Sequence, residues 1–283
     1  MRLAVNDFFH FNTSIVVRRP KKKRKSIVRQ FISNQGKWIF LGGTFSLTVF
    51  VLLFYTFIIS PYRSVWRGLF GETVYPEFTV RGIDISHHNG PIDWQKAARS
   101  NLGGEPLVFV FVKATEGLTH LDKNFNENFY QAHNAGLICG AYHYFKPRKD
   151  ALRQAEYFLH WVHLEDGDLP PVLDVEEEGG LSSEQLQTAV LTWLNEVERR
   201  MGVTPIIYAS HAFRKKHFSN EKFSRYPFWL AHYYVKEPRG AEKWHFWQHT
   251  DNGKIDGIRG KVDLNVYSGS MYELRRLTLH SED

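Results

Sequence analysis

The chain has 283 residues, of which 43% are hydrophobic and 23% charged, so it is long enough for a sizeable core and too apolar for wholesale disorder. Its net charge of +6 is unevenly distributed: residues 1–37 carry ten basic side chains against Asp7, or +9, which leaves −3 for the rest. Because only the tail is basic, the sequence predicts no nucleic-acid partner.

The first element in chain order is a long apolar run. No charged residue occurs from Trp38 to Tyr62, and the 22 residues Ile39–Ser60 would span roughly 33 Å as a helix, enough for a bilayer core. A cleaved signal peptide is the alternative, but its apolar part is only about 7–15 residues long and ends at small residues that this run lacks. We therefore predict an uncleaved transmembrane anchor.

The basic cluster Lys21–Lys25 precedes this run, and such clusters are retained in the cytoplasm. The sequence thus predicts a single-pass protein of the cytoplasmic membrane that contacts lipid through its anchor. Its N-terminus would be cytoplasmic and its main domain periplasmic or extracellular. The predicted divisions are a basic tail at 1–37, the anchor at 38–62, a stalk at 63–78 and the main domain at 79–283.

After Thr79, short β-rich runs alternate with longer helical stretches, which predicts an α/β fold with an eight-stranded barrel. Less helix separates the later strands, so we expect the barrel to be irregular. Ser182, with Gln185 three residues later, predicts a helix N-terminus, and Gly136 and Gly202 predict helix ends. The predicted strands are Gly82–Ser86, Leu107–Lys113, Leu137–Phe145, Pro171–Glu176, Thr204–Ser210, Phe228–His232, His245–His249 and Val262–Tyr267, and the predicted helices lie near Trp94–Ser100, Asn124–Asn134, Ala151–His163, Ser183–Met201 and Ala212–Phe218.

Acidic residues appear where the fourth predicted strand ends. Period-two geometry directs Asp174 and Glu176 to one face, with Cβ atoms about 7 Å apart. Two carboxyl groups at that spacing can divide the labour of glycosidic cleavage, one protonated and the other ionised. The alternative is a solvated acidic loop in which Glu177 and Glu178 are surface residues.

Two further strands favour the first interpretation. Asp84 shares a face with Ser86, and Asp263 shares one with Asn265, while apolar neighbours occupy the opposite faces. Each strand thus presents an acid where an apolar residue would serve packing better. The active sites of α/β barrels lie at the carboxyl ends of the strands, so we expect these acids to meet there.

Aromatic residues accompany these acids. Tyr142 and Tyr144 share one face of a strand, and Trp247 beside Gln248 could form an aromatic platform for a sugar. Ordinary core packing is the alternative for part of this set. Lys113 and Glu116 either pair with each other or reach the cleft.

Few other residues suggest metal or thiol chemistry. The single cysteine, Cys139, excludes an internal disulfide and a site of several thiolates, and its small apolar neighbours predict a buried free thiol. His87 and His88 are adjacent rather than four positions apart, which does not suit two ligands on one helix face. We therefore predict neither a metal nor a cofactor.

The order of these motifs resembles glycoside hydrolase family 25, the Chalaropsis-type lysozymes, over roughly residues 80–275. The resemblance implies a flattened, irregular α/β barrel that cleaves the β-1,4 bond after N-acetylmuramic acid in bacterial peptidoglycan. The motifs that carry it are Gly82-x-Asp84-x-Ser86-x-x-x-Gly90, Lys113-Ala114-Thr115-Glu116-Gly117, Ala141–Phe145, Leu173-Asp174-Val175-Glu176, Trp247-Gln248-His249 and Gly260-Lys261-Val262-Asp263-Leu264-Asn265.

Carried over by motif, Glu176 would be the general acid, and Asp84, Asp174 and Asp263 would be the carboxylates around it. We expect those three aspartates to stay ionised and so to keep Glu176 protonated. The resemblance also implies retention of configuration, either with Asp174 as nucleophile or with assistance from the substrate's acetamido group, which we favour.

Two other functions compete with an anchored, monomeric muramidase. The first is a non-catalytic cell-wall glycan-binding protein, and the second is a structural link between membrane and wall. Binding neutral sugars does not require a cluster of like charges, so four acids favour the enzyme. Its predicted substrate-contacting residues are Tyr142, Tyr144, Lys113, Glu116, Trp247 and Gln248, with peptidoglycan strands as partner.

Overall fold

The computed structural model describes residues 27–59, 75, 77–238 and 243–280. The chain divides into two units, residues 1–58 and 59–283. Helix α1 (Ile27–Phe54) lies in the first unit and continues into a π-helical turn, Tyr55–Ile59, whose last residue begins the second unit. The helix therefore begins within the predicted cytoplasmic tail and includes the charged positions Arg29 and Lys37.

Among the residues that the structure describes, no helix combines the length and the apolar character needed to cross a membrane. The predicted transmembrane helix is therefore not confirmed. Residues 1–26 of the predicted tail and most of the predicted stalk lie outside the described residues.

Eight strands of the second unit close into a barrel. Its order is β1-β10-β9-β8-β7-β6-β5-β3, and β3 pairs back with β1. All neighbours are parallel except β10, which is antiparallel to both β9 and β1. The strands are β1 (Arg81–Ile85), β2 (Asn101–Leu102), β3 (Glu105–Glu116), β4 (His120–Leu121), β5 (Ile138–Tyr144), β6 (Val172–Asp174), β7 (Ile206–Ser210), β8 (Phe228–Ala231), β9 (Phe246–Gly253) and β10 (Val262–Tyr267).

Helices surround part of this barrel. They are α2 (Trp94–Ala97), α3 (Phe125–Asn134), α4 (Ala151–Trp161), α5 (Ser183–Met201), α6 (His211–His217) and α7 (Met271–Leu277). The eight predicted strands and five predicted helices are all present, whereas β2, β4 and α7 were not predicted. Among the described residues, no helix connects β8 to β9 or β9 to β10, which confirms the expected irregularity.

Side-chain alternation along the strands separates two cores. Outward residues such as Val112 and Leu173 pack with the helices, including Trp193 of α5. Inward residues such as Phe111 and Val172 fill the barrel itself. The long helix α5 is defined by its ends: Ser182 and Gln185 form the predicted capping box, and Gly202 adopts a left-handed conformation with φ of 70°.

The antiparallel direction of β10 determines where one acid lies. The carboxyl end of β1 faces the amino end of β10, so Asp84 is registered directly opposite Asp263. We predicted an acid at the end of each strand, but Asp263 is the second residue of β10. It reaches the same edge of the barrel because its strand runs the other way.

Candidate active site

Four acidic residues meet at the carboxyl edge of the barrel. Asp84 and Asp174 occupy the ends of β1 and β6 and are buried, with 8% and 6% of their surface exposed. Asp263 is partly buried, whereas Glu176 is exposed, two residues beyond the end of β6. The side chain at 174 follows the inward Val172 by two positions, as β geometry requires. The predicted acidic cluster therefore occupies one mouth of the barrel.

A network of amide groups holds Asp84 in place. Its Oδ1 accepts hydrogen bonds from Gln248 Nε2 at 2.8 Å and Asn265 Nδ2 at 2.7 Å. Gln248 Oε1 in turn accepts from the hydroxyls of Tyr208 at 2.8 Å and Tyr233 at 2.6 Å. These contacts connect β1, β7, β9, β10 and the residues after β8, so the Asp84 carboxyl is fixed from several strands.

The acids differ in how firmly they hold a proton. Burial raises the pKa of Asp84 well above its ordinary value, and the charge of Asp263 raises it further. Burial also raises the pKa of Asp263 to about 6, with a contribution from Asp251. The hydrogen bond between the two raises the pKa of Asp84 and lowers that of Asp263, so Asp84 is the member that retains its proton to higher pH.

The environment of Asp174, like those of Asp84 and Asp263, opposes our expectation that these three carboxyl groups stay ionised. Burial raises its pKa well above the ordinary value, and the negative charge of Glu176 adds to this effect, although Lys113 opposes it. Its buried Oδ1 has no hydrogen-bond partner in the protein. Burial therefore disfavours ionisation of Asp174, and it does so most strongly while Glu176 is ionised. Glu176, by contrast, lies within reach of solvent, and the hydroxyl of Tyr144 donates to its Oε2 at 3.4 Å.

A row of ion pairs forms the rim over β3 and β5. Lys113 Nζ lies 2.7 Å from Glu116 Oε2, so the two residues pair, and both also lie close enough to the mouth to affect the pKa of Asp174. Lys146 Nζ lies 3.2 Å from both Glu116 and Glu177. Burial by itself would raise the pKa of Glu116, but its contacts with lysine, led by the hydrogen bond from Lys113, outweigh burial, so the pKa is lowered. The two lysine ammonium groups also lie 4.8 and 4.5 Å from the ring centre of Tyr144, which they hold beside Glu176.

Four of the six predicted substrate-contacting residues, Trp247, Gln248, Tyr142 and Lys113, are buried. Trp247 has 0% exposure and packs against Tyr75 and Val266, because Phe246 and Gln248 on either side of it face inward. The structure thus does not place Trp247 at the mouth, and its indole donates to the His232 carbonyl instead. Tyr142 does face inward, but it is buried in the barrel, where burial raises the pKa of its hydroxyl.

Sequence reasoning did not select Tyr208 or Tyr233. A signal existed for Tyr208, because alternation from the apolar Ile206 directs it inward in the middle of β7. Tyr233 follows β8 in a turn whose next residue, Tyr234, has a positive φ of 60°, and no sequence pattern predicts that turn. Among the described residues, no group of three or more His, Cys, Asp or Glu side chains could hold a metal ion.

Comparison with known proteins identifies the fold family. A sequence model of "Glycosyl hydrolases family 25" matches residues 83–258. The chain belongs to this family. It is therefore a glycoside hydrolase, and the resemblance seen in the motifs is confirmed.

Relatives in this family include bacterial lysozymes. The chain is 33% identical to lysozyme M1 of Streptomyces globisporus, covering 73% of this chain and 74% of that protein. It is 43% identical to the uncharacterized protein YegX of Escherichia coli K12, over 73% of this chain and 76% of that one. The crystal structure of a lysozyme from Streptomyces coelicolor superposes with a TM-score of 0.64 and 32% identity, covering 70% and 96% of the two chains.

Proposed function

We propose that this family 25 hydrolase is a lysozyme, an N-acetylmuramidase that hydrolyses the β-1,4 bond between N-acetylmuramic acid and N-acetylglucosamine. The observation that carries the proposal is the pairing of an exposed Glu176 with a buried Asp174 at the mouth of the barrel. Similarity to lysozyme M1 and to the Streptomyces coelicolor enzyme supports peptidoglycan as the substrate.

In the proposed mechanism Glu176 donates a proton to the leaving glycosidic oxygen. This role suits a carboxyl group that lies at the surface of the cleft and is oriented by the hydroxyl of Tyr144. As the bond breaks, positive charge develops on the sugar. The acetamido oxygen of the same sugar attacks its anomeric carbon, and water later opens the intermediate with Glu176 as base, which gives retention.

Asp174 supports that attack rather than making it. A buried carboxyl group that favours the neutral form is a poor nucleophile, but its oxygen without a protein partner can accept a hydrogen bond from the acetamido N–H. Asp263 lies across the mouth beside Asp84 and, as the member of the pair that ionises more readily, stabilises the developing positive charge. This division of roles matches the preference for substrate assistance.

The competing proposal is a glycan-binding protein without turnover. Buried carboxyl groups with raised pKa values lower the stability of a fold, and neutral sugars do not need them. To decide, the full chain, solubilised in detergent, is incubated with purified peptidoglycan, and the new reducing ends are identified. New N-acetylmuramic acid ends support the muramidase, whereas tight binding without new ends would support the binding protein.

We further propose that residues 38–62 anchor the enzyme to the cytoplasmic membrane with its barrel outside. The uncharged run Trp38–Tyr62 and the preceding Lys21–Lys25 cluster support this topology. Large apolar side chains such as Phe45 and Phe50 are exposed on α1. A reporter fused after Asp283 should be active only if it functions outside the cytoplasm. Cytoplasmic activity, or a mature N-terminus near residue 62, would overturn the topology.

A further inference from the structure

The loop between β6 and α5 carries Glu176, and its backbone has to place that side chain. The carboxyl group of Glu176 is exposed, and the Tyr144 hydroxyl that donates to it lies 3.4 Å away, which is long for a hydrogen bond between two oxygens. A general acid has to lie within about 2.6–3.2 Å of the oxygen that it protonates. The contacts that fix the loop therefore determine whether Glu176 reaches that oxygen.

The backbone of this loop is fixed at its start and turns sharply in its middle. The N–H of Val175 donates to the Tyr208 carbonyl at 3.0 Å. Directly after Glu178 come Gly179 and Gly180, with positive φ values of 58° and 77°, a conformation that glycine adopts readily. A side-chain contact made by Glu178 would therefore hold the loop next to the point where glycine gives its backbone most freedom.

Such a contact exists with His217, the last residue of α6. The Oε1 atom of Glu178 lies 2.9 Å from His217 Nε2. The side chain of His217 is only 2% exposed, whereas that of Glu178 is 38% exposed. Hydrogen bonds from Lys216 and then from His217 lower the pKa of Glu178, so its carboxyl group is ionised near pH 7. An ionised acceptor makes His217 Nε2 the donor of a charge-assisted hydrogen bond.

Helix α5 and a neighbouring ring hold the rest of the imidazole. His217 Nδ1 lies 2.5 Å from the hydroxyl of Ser183, the first residue of α5, and Gln187 Nε2 donates to the His217 carbonyl at 2.6 Å. In a neutral ring that donates through Nε2, Nδ1 is a bare acceptor, so the Ser183 hydroxyl donates to it. The ring centre of Phe213 lies 4.5 Å from that of the imidazole. His217 is thus fixed from two helices and gives Glu178 a rigid partner.

The other ion pairs of this loop are formed by exposed side chains. Glu177 lies 3.2 Å from Lys146, and both side chains are more than a third exposed. Lys216 Nζ lies 2.5 Å from Glu178, but the lysine side chain is more exposed still. Solvent and salt screen such pairs, so they contribute little. The buried His217 is therefore the partner that fixes Glu178 in position.

We propose that the hydrogen bond between His217 and Glu178 anchors this loop, so that His217 is a positioning residue for Glu176. In this role His217 contacts neither the substrate nor the reacting atoms, and it acts only through the place at which it holds the general acid. A displacement of about 1 Å in a catalytic group can cost roughly 10²-fold in rate. This inference rests on the proposed muramidase function.

Two substrates with different leaving groups test the role. The first is a soluble peptidoglycan tetrasaccharide, whose departing sugar oxygen needs a proton, and the second is a dinitrophenyl glycoside of N-acetylmuramic acid, whose phenolate leaves without one. In the full chain, Glu178→Ala and His217→Phe, which keeps a ring but no nitrogen, should lower kcat on the tetrasaccharide about 10- to 100-fold and leave KM within about 2-fold. Both should lower kcat/KM on the dinitrophenyl glycoside by less than about 2-fold, because that cleavage needs no acid.

Matched variants separate positioning from folding. Glu178→Gln retains an oxygen that can accept from His217, so its tetrasaccharide rate should stay within about 3-fold of the unmodified chain. Glu177→Gln changes the exposed neighbour and should alter neither rate. Added to Glu176→Gln, Glu178→Ala should cause no further loss, because no acid is left to position. Equal losses on both substrates, a further loss in the Glu176→Gln background, or unchanged rates on both substrates would each overturn the proposal.

Failure of the proposed function gives a different result. In that case the unmodified chain cleaves neither substrate and releases no new reducing ends. The anchor is then judged by hydrogen exchange of the backbone amides of residues 175–182, measured by mass spectrometry on the full chain. Exchange about 10-fold faster in Glu178→Ala and His217→Phe, but not in Glu177→Gln, would support the anchor without the muramidase. Unchanged exchange in the first two variants would overturn it.

Discussion

The same strands form two different halves of the barrel interior. Aromatic side chains fill the lower half, and polar side chains line the upper half, at the mouth. In the lower half, aromatic rings of Phe109, Phe111, Trp229 and Phe246 lie with centres 4.5 to 5.7 Å apart. Two residues further along, the inward positions become polar, as when Phe246 is followed by Gln248. The alternation that buries one ring also delivers the next side chain to the mouth.

Two glycines on strands β1 and β5 leave room for the rings of the aromatic layer. A Cβ atom at Gly82 would lie 2.3 Å from the ring of Phe109, and one at Gly140 would lie 2.6 Å from the ring of Phe111. Glycine at 82 is therefore a packing requirement, two positions before Asp84. The indole of Trp229 connects the halves, because it stacks on Phe111 and donates to Asn265 Oδ1 at 2.7 Å.

The comparison shows where stability and function separate. Burying aromatic rings stabilises the fold, whereas burying Asp84 and Asp174 raises their pKa values and so opposes folding at neutral pH. The free energy gained by burying the aromatic rings of the lower half offsets the cost of burying the carboxyl groups of the upper half. Substitutions in the two halves should therefore have opposite effects on stability.

The largest effect is expected in the lower half. Phe111→Ala removes a fully buried ring that stacks on Trp229 at 4.5 Å, and the free energy of unfolding should fall by about 3–5 kcal/mol. Denaturant unfolding followed by tryptophan fluorescence measures it. Tyr130→Ala, at a ring that is 63% exposed, is the control and should change stability by less than about 0.5 kcal/mol. A loss below about 1 kcal/mol for Phe111→Ala would contradict a structural role for the aromatic layer.

The next effect concerns activity at the mouth. Glu176→Gln keeps the shape of the side chain but removes the proton donor, so kcat on peptidoglycan should fall at least about 10²-fold while glycan binding persists. The matched control is Glu177→Gln, next in sequence and also exposed, whose carboxylate pairs with Lys146. Near-normal turnover by Glu176→Gln would remove it from the role of general acid.

A smaller effect, of opposite sign to the first, is expected at Asp174. Its pKa is raised in the folded state, so the folded protein binds the proton more tightly and loses stability as pH rises above about 4, the unfolded value. Asp174→Asn removes that loss. The variant should turn over poorly yet melt about 2–4 °C higher than the unmodified chain at pH 7.5, and at the same temperature at pH 3.5.

Melting curves of both proteins across this range measure the difference. Asp168→Asn provides a contrasting control at a buried carboxyl group outside the mouth that is paired with His133 at 2.7 Å. Its removal should lower the melting temperature rather than raise it. If Asp174→Asn were less stable at pH 7.5, the carboxylate would be stabilised in the mouth, and a nucleophilic role would regain support.

Local patterns predicted much of this arrangement because alternation is informative where one face is polar. Asp84 and Asp174 each lie between apolar residues of a strand. The alternation of polar and apolar side chains therefore predicted both the strand and the face on which each acid lies. Alternation is ambiguous where both faces are apolar. Phe246 and Trp247 could exchange roles, and the cover that Tyr75 and Phe78 help to form over Trp247 cannot be read from the local pattern.

Strand direction and burial depth could not be inferred from local patterns. Asp263 lies at the start of β10, and its place at the mouth depends on the antiparallel pairing with β1. The raised pKa of Asp174 depends on how far its carboxyl group is removed from water, whereas Glu176, only two residues away, is exposed. The spacing of Asp174 and Glu176 indicated that their carboxyl groups would lie close together. It did not reveal that Asp174 is buried, and burial disfavours the ionised state that we expected for it.

The smallest effect is expected on removing metal ions. The carboxyl groups of the mouth do not converge as ligands: Asp84 Oδ1 accepts two amide donors, and the raised pKa values of Asp84 and Asp174 keep protons where a cation would need bare oxygens. Among the described residues, no cluster of three suitable side chains offers another site. Dialysis against EDTA should therefore leave the rate on peptidoglycan unchanged. If EDTA abolished activity and a divalent ion restored it, and if the Glu177→Gln variant did not behave in the same way, the mouth would bind a cation during turnover. Its acids would then be ionised when substrate is present.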